Sequence, residues 1–319
     1  MIDAWATPLA VVGRGHGDST SGLGRALALP RQLSTIVGHP LNRGRPVSAI
    51  GRWLRWQIVS RIGQAPIIVP FAGGTCLVAR TGETGVSGNI YFGLAEYEDM
   101  AFAVHLLRPC DLFVDVGANA GSYAILASGV AGARTIAFEP IPATVERLDL
   151  NIRVNGLADR IEVRRVGVAA TPGEICFTSD QDTTNHATVQ GEQGITVRVE
   201  TLDRALAGTA PVLLKIDTEG LEPDVLAGAS ALLTASSLLG VIVETSGALE
   251  RYGRKVEDVV EPLVRAGLSP CAYDPRSRRL HPLRGANSAT NNTIFVRNID
   301  TVAERLAAAP RFAVGDVFL

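Results

Sequence analysis

Asp115 closes the apolar run Phe113-Val114-Asp115-Val116 and leads into Gly117-Ala118-Asn119-Ala120-Gly121-Ser122-Tyr123. A carboxylate therefore stands at the C-terminal end of a strand, and glycines shape the turn into a helix. Doubly wound sheets bind their ligands at that position. The spacing is G-x-N-x-G, without the G-x-G-x-x-G pattern that brings backbone N–H groups up to a dinucleotide pyrophosphate. That disfavours a nicotinamide dehydrogenase. The turn through Gly117, Asn119 and Gly121 can offer close backbone approach to a nucleoside, acceptors for an ammonium group and donors for a carboxylate. Glu139, at the end of the next strand in Ala137-Phe138-Glu139-Pro140, follows Asp115 by 24 positions. Such folds bind a ribose diol through an acid at about this offset, and two carboxylate oxygens can accept both hydroxyl protons.

A second cluster, Lys215-Ile216-Asp217-Thr218-Glu219-Gly220, ends another apolar strand, and strand alternation sends Lys215 and Asp217 to the same side. Asp217 is the first choice for a general base or for positioning an acceptor, with Glu219 as a second carboxylate. The structural alternative is that Asp217 caps the following helix, whose first turn holds Pro223. Lys215, one of only two lysines in the chain, could pair with one of these acids or steer an anionic substrate. His186, in the polar loop 180–187, could act as a base near neutral pH or could be an ordinary surface residue. Glu244 ends a further strand. Together with Asp217 and Glu219 it could form an oxygen site for a divalent cation, although no metal is expected.

These groups need a scaffold, and from residue 111 onward strands and helices alternate as in a mainly parallel sheet with crossover helices. Strands are expected at 112–116, 135–138, 161–166, 212–216 and 241–243, and helices at 122–128, 143–155, 221–233 and 256–266. An extra strand pair at 174–177 and 196–200 brackets the polar loop, and further strands are expected at 271–273 and 292–297. Upstream, short strands at 67–71, 75–80 and 89–92 suggest a small β subdomain, followed by a helix over 96–107. Ile50, Trp53, Leu54, Gln57, Ile58 and Ile62 fall near helical spacing among Arg52, Arg55 and Arg61. That amphipathic helix is expected to dock on the main domain; a membrane-surface anchor or a homo-oligomer contact is the alternative.

Hydrophobic content of 46% over 319 residues is ample for a packed core. A net charge of −2 speaks against a broad nucleic-acid-binding face, so any acidic partner must be met locally. The four cysteines are far apart, with no CxxC pair, and read as reduced and mostly buried thiols. No apolar run reaches the eighteen or so residues that would span a bilayer. No signal-peptide pattern is evident, so a cytoplasmic protein is expected.

S-adenosylmethionine (SAM) has no phosphate and needs what the 115–123 turn and Glu139 can offer. Here the chain resembles the FkbM family of SAM-dependent methyltransferases. The resemblance rests on Asp115 to Tyr123, Phe138-Glu139-Pro140, Asn151-Ile152 with Asn155-Gly156, Thr201-Leu202-Asp203, Leu214 to Gly220, Val225 to Ala229 and Val243-Glu244. It implies an α/β, class I (Rossmann-like) doubly wound sheet of seven strands, the last antiparallel, with an N-terminal helical and β extension. It also implies O-methylation of a small-molecule or glycan acceptor such as a sugar, glycolipid or natural product. Glu96 and Tyr91 would fold over the methionine end of SAM. The alternatives are N- or carboxyl-methylation with the same cofactor site, or a non-catalytic binding protein. The expected organisation is a flexible arm over 1–45, a helix and small β subdomain over 46–98, the methyltransferase domain over 99–298 and a C-terminal tail over 299–319.

Overall fold

Helix α1 (Gly22–Gly38) occupies much of the segment whose Gly, Pro and Ser content suggested a flexible arm, and α2 (Pro46–Ile62) follows it. The computed structural model describes residues 22–62, 65–80, 83–179, 181 and 184–319, so the first half of that arm lies outside the described residues. Packing overrides composition here: Ile36 is buried with Ala49 of α2 and Phe92, and Asn42 Nδ2 donates to the Ile36 carbonyl near the helix end. The docked face of α2 is Ala49, Trp56 and Ser60, and the expected face of Leu54, Ile58 and Ile62 points outward.

Strands β1 (Ile67–Pro70) and β2 (Cys76–Ala79) form an antiparallel hairpin. Asn89–Phe92, expected as a third strand, instead ends helix α3 (Thr84–Phe92). The Gly93 N–H donates to the Asn89 carbonyl and the Ala95 N–H to Asn89 Oδ1, which closes that helix end. Helix α4 (Tyr97–Leu106) is buried on nearly every side.

The central sheet begins with β3 (Leu112–Val116), then α5 (Ser122–Ile125), β4 (Arg134–Phe138), α6 (Pro142–Val154) and β5 (Ile161–Arg164). A three-stranded side sheet of β6 (Gly167–Val168), β7 (Gly173–Phe177) and β8 (Ile195–Glu200) branches off before the short helix α7 (Leu202–Ala205). The chain returns through β9 (Leu213–Ile216), α8 (Glu222–Ala227), α9 (Ser230–Thr234), β10 (Gly240–Glu244) and α10 (Glu257–Arg265). The helix expected over 221–233 is thus two helices. The Asp203 carboxylate accepts from the Ala231 and Leu232 N–H groups and restarts the second.

Strands β11 (Ser269–Asp274), β12 (Arg279–Pro282) and β13 (Asn292–Val296) complete a sheet in the order β12-β11-β13-β10-β9-β3-β4-β5. Strands β3, β4, β5, β9 and β10 run parallel, and β13 is antiparallel to β10. This is the expected doubly wound class I architecture with an eighth strand. Charged and polar residues of β12 concealed that strand in the sequence, as suits an exposed edge.

The last 21 residues, 299–319, are no tail. Helix α11 (Ile299–Ala307) buries Val302 and Leu306, and a hairpin of β14 (Ala313–Val314) and β15 (Val317–Phe318) follows, bridged to Ala72. All four cysteines are free; of these Cys271 is buried, Cys76 and Cys176 are half-buried and Cys110 is exposed, against the expectation of mostly buried thiols.

Candidate functional site

The sheet order reverses direction between β3 and β9, where a doubly wound fold opens its crevice. Register puts Asp115 of β3 directly beside Lys215 of β9, and pairs Val116 with Phe138 so that Glu139 emerges one residue beyond. Gly117 lets the two strand tips meet: its φ is +77°, and an added Cβ would lie 1.9 Å from the Asp217 carbonyl oxygen. Gly121, at φ +89°, leaves only 2.4 Å between such a carbon and Leu148 Cδ1. Asn119 also has a positive φ, and its side chain accepts from the Ala120 N–H. Asn151 donates to the Ala120 carbonyl and accepts from the Val78 N–H, tying the turn to the β1–β2 hairpin.

Asp115 is 1% exposed, and neither of its carboxylate oxygens has a hydrogen-bond partner among the described residues. Burial pushes its pKa up to about 6, against the pull of Lys215. Lys215 is itself buried, donates from Nζ to Asp217 at 2.8 Å and lies 4.8 Å from the centre of the Tyr123 ring. Desolvation works to lower the pKa of this ammonium, but Asp217, Asp115 and Glu96 outweigh it and hold the charge in place. Tyr123 donates its hydroxyl to Glu96 at 2.5 Å, and Asn292 donates to Glu96 and to Asp99. Burial and then Glu96 push Asp99 up to about 8, and burial raises Glu96 as well. One lysine thus faces several acids in a dry place, a charge imbalance that protons or a cationic ligand must correct.

Glu139 reaches back over the turn. Its carboxylate accepts from the Asn119 N–H and the Ile141 N–H, each at 3.0 Å, which fixes its orientation and leaves lone pairs for a diol. Burial pushes it up to about 7 in spite of those bonds. All these folded-state values lie above the unfolded ones, so their stabilising contribution is full below about pH 4 and is lost as pH rises through about 6 to 8. The ligand-free melting temperature is therefore expected to fall across that window. A cationic ligand that favours ionised Asp115 should bind at least about tenfold tighter at pH 8 than at pH 5. Calorimetric titration at both values, with melting curves alongside, checks the two trends; affinity independent of pH would contradict the assignment.

A second acidic group adjoins the first: oxygens of Asp217, Glu219 and Glu244 lie within 4.8 Å of one another and could hold a cation. Burial, then Asp217, pushes Glu219 up to about 8. Burial, then Asp217 and Glu219, pushes Glu244 up to about 10, and Glu244 Oε2 is buried without a partner among the described residues. Asp217 does not cap α8. No side chain caps that helix; Glu222, its first residue and fully buried, instead ties down the preceding loop, accepting from the Thr218 N–H and hydroxyl and from the Gly220 N–H. Glu219 sits between them at φ +55°. Glu222→Ala should strand these donors and lower stability by roughly 3 kcal/mol, measurable by chemical denaturation.

Two expected site residues are held elsewhere. Tyr91 accepts a hydrogen bond from Gln57 of α2, and no hydrogen bond links it to the acidic cluster among the described residues. His186 is buried with both ring nitrogens engaged in its own loop, Nδ1 with the Thr184 carbonyl at 2.8 Å and Nε2 with Glu192 at 3.1 Å, so it anchors the loop and leaves no nitrogen for proton abstraction. Asp180, Asp182 and Thr183 of that loop lie outside the described residues. Sequence reading missed Asp99, Asn292 and Glu222. Two surface cavities of about 330 Å³, one against α8, α9 and α10 and one beyond β10, open onto neither Asp115 nor Glu139. The cluster is closed over by the Glu96–Tyr123 and Glu96–Asn292 bonds.

No curated protein matches the chain in sequence. Among solved structures, a methyltransferase FkbM from Methylobacillus flagellatus KT is 16% identical at a TM-score of 0.40, over 65% of this chain and 53% of that one. The chain thus spans about half of that protein's length. A SAM-dependent O-methyltransferase from Thermotoga maritima is 12% identical at a TM-score of 0.39, over 72% of this chain and 77% of that one. Likenesses at this level leave the assignment to the sequence family and the site geometry. Residues 115–267, which run from the buried Asp115 through the Asp217, Glu219 and Glu244 group to just past α10, match the methyltransferase FkbM domain, so the chain carries a methyltransferase FkbM domain over that stretch.

Proposed function

We propose that the chain takes a methyl group from SAM and places it on a hydroxyl of a sugar, glycolipid or natural product. The observation that carries this reading is the Asp115 carboxylate, buried and unpartnered among the described residues in a cluster short of positive charge. An amino acid ammonium would supply what is missing there. Asp115, with Glu96 opposite, would hold that ammonium; Glu139 would accept from the ribose hydroxyls; and the turn at Gly117, Asn119 and Gly121 would lie against the nucleoside. Bound SAM would supply a sulfonium methyl for in-line displacement.

On the acceptor side, Asp217 is already ion-paired with Lys215 and is suited to orienting the acceptor hydroxyl. Glu219, which burial and then Asp217 push up to about 8, would take the hydroxyl proton as the new C–O bond forms and the methyl–sulfur bond breaks. Glu244, held protonated by its neighbours, can donate a hydrogen bond to a second acceptor oxygen. The test is transfer of isotopically labelled methyl from SAM to a panel of alcohols, amines and carboxylates, with S-adenosylhomocysteine and NAD compared in thermal shift. Stable ether products and stabilisation by the sulfur nucleosides alone are expected; an N-methyl or ester product would replace the O-methylation reading.

A further inference from the structure

The chain as a whole is slightly acidic, yet from Ser19 to Gly82 it holds eight arginines and not one Asp or Glu. The same region carries most of the large exposed apolar side chains among the described residues. Of nine large apolar side chains exposed among the described residues, six fall between 47 and 68: Val47, Leu54, Ile58, Val59, Ile62 and Ile68. At about 100° per residue, Val47, Gly51, Leu54, Ile58 and Ile62 share an arc of roughly 80° on α2. Arg61 borders that arc on one side and Arg55 on the other. The arc lies opposite the face that buries Ala49, Trp56 and Ser60. Val47 and Ile62 are each 83% exposed, Ile58 56% and Leu54 46%.

A helix with one apolar face packed and a second left in water is not a finished surface. An aliphatic stripe between arginines, on a segment without acids, matches an anionic bilayer: the stripe enters the acyl boundary and the guanidinium groups meet phosphates. We propose that α2 docks the protein in-plane on a membrane surface rich in anionic lipid. No helix among the described residues is long and apolar enough to cross a membrane, so the attachment is peripheral. The docked helix is joined to the cofactor side of the fold through α3, where Gln57 bonds Tyr91 and Asn89 bonds Ser122 after the glycine turn.

The experiment is co-sedimentation of the full chain with vesicles of phosphatidylcholine alone and of phosphatidylcholine with 30% phosphatidylglycerol. Binding to the anionic vesicles, weakened by salt and absent with the neutral ones, is expected. Arg55→Gln with Arg61→Gln should lower the partition coefficient about thirty-fold. Leu54→Glu with Ile58→Glu should abolish binding while leaving the melting temperature and the SAM-induced shift intact, since both positions face solvent. Wild-type protein remaining in the supernatant with anionic vesicles would overturn the proposal. So would a wild-type dimer in light scattering that the Leu54/Ile58 variant splits, without lipid binding, because the stripe would then belong to a second copy.

Discussion

Asp115→Asn is expected to abolish the thermal shift given by SAM and to weaken its binding at least a hundredfold, while the ligand-free protein melts no lower than wild type at pH 8. The two outcomes have one cause. Raising a buried carboxylate from an ordinary 3.8 to about 6 means that keeping it ionised at pH 8 works against folding by roughly 3 kcal/mol. Lys215 softens but does not cancel that burden, because Asp217 and Glu96 share it. A neutral amide of the same shape removes the burden together with the charge that an ammonium ligand would meet. A structural carboxylate would behave in the opposite way, its loss lowering the melting point with or without ligand. Calorimetric titration with SAM and melting curves at pH 8 separate the cases.

Glu219→Gln should reduce turnover by about two to three orders of magnitude and leave SAM affinity within about twofold. Glutamine keeps the volume and the hydrogen-bonding reach of a residue held at φ +55° next to the Glu222-tied loop, so the change removes a proton acceptor and little else. In the wild type, ionisation of Glu219 near pH 8 should appear as a rising limb in the pH dependence of kcat, and that limb should be missing from the variant. Asp217→Asn provides the contrast. It unpairs Lys215, so cofactor and acceptor binding should both suffer. A Glu219→Gln enzyme with wild-type kcat and an unchanged pH profile would move the base to another residue.

The carboxylates at the strand ends were legible in the sequence because short apolar strands fix where the chain turns. Asp115, Glu139 and Lys215 each follow an apolar run, and a parallel sheet brings such ends into line. The register of Asp115 beside Lys215 is what that reading required. Asn292 was not legible: it reaches Asp99 across 193 positions, and no local pattern reports such a pair. Glu222 was hidden for a different reason. Next to Pro223 at a helix start it looks like an ordinary first-turn acid, whereas its side chain turns back onto Thr218 and Gly220. In α2 the periodicity marked a helix but misjudged its face, since Ala49 and Trp56 offered a second apolar side, Ala49 packing beside Ile36 and Phe92 and Trp56 joining the main core. The C-terminal segment was read as a tail although Ile299, Val302 and Leu306 already carry helical spacing.

A crystal structure with S-adenosylhomocysteine tests most directly whether the acids at neighbouring strand tips form the cofactor site. The Glu139 carboxylate is expected within hydrogen-bond distance of both ribose hydroxyls, and the ligand's amino group between Asp115 and Glu96 with the Tyr123–Glu96 contact opened to admit it. Ligand density away from the Gly117–Gly121 turn, or a Glu139 carboxylate still bound only to its two backbone N–H groups, would contradict it.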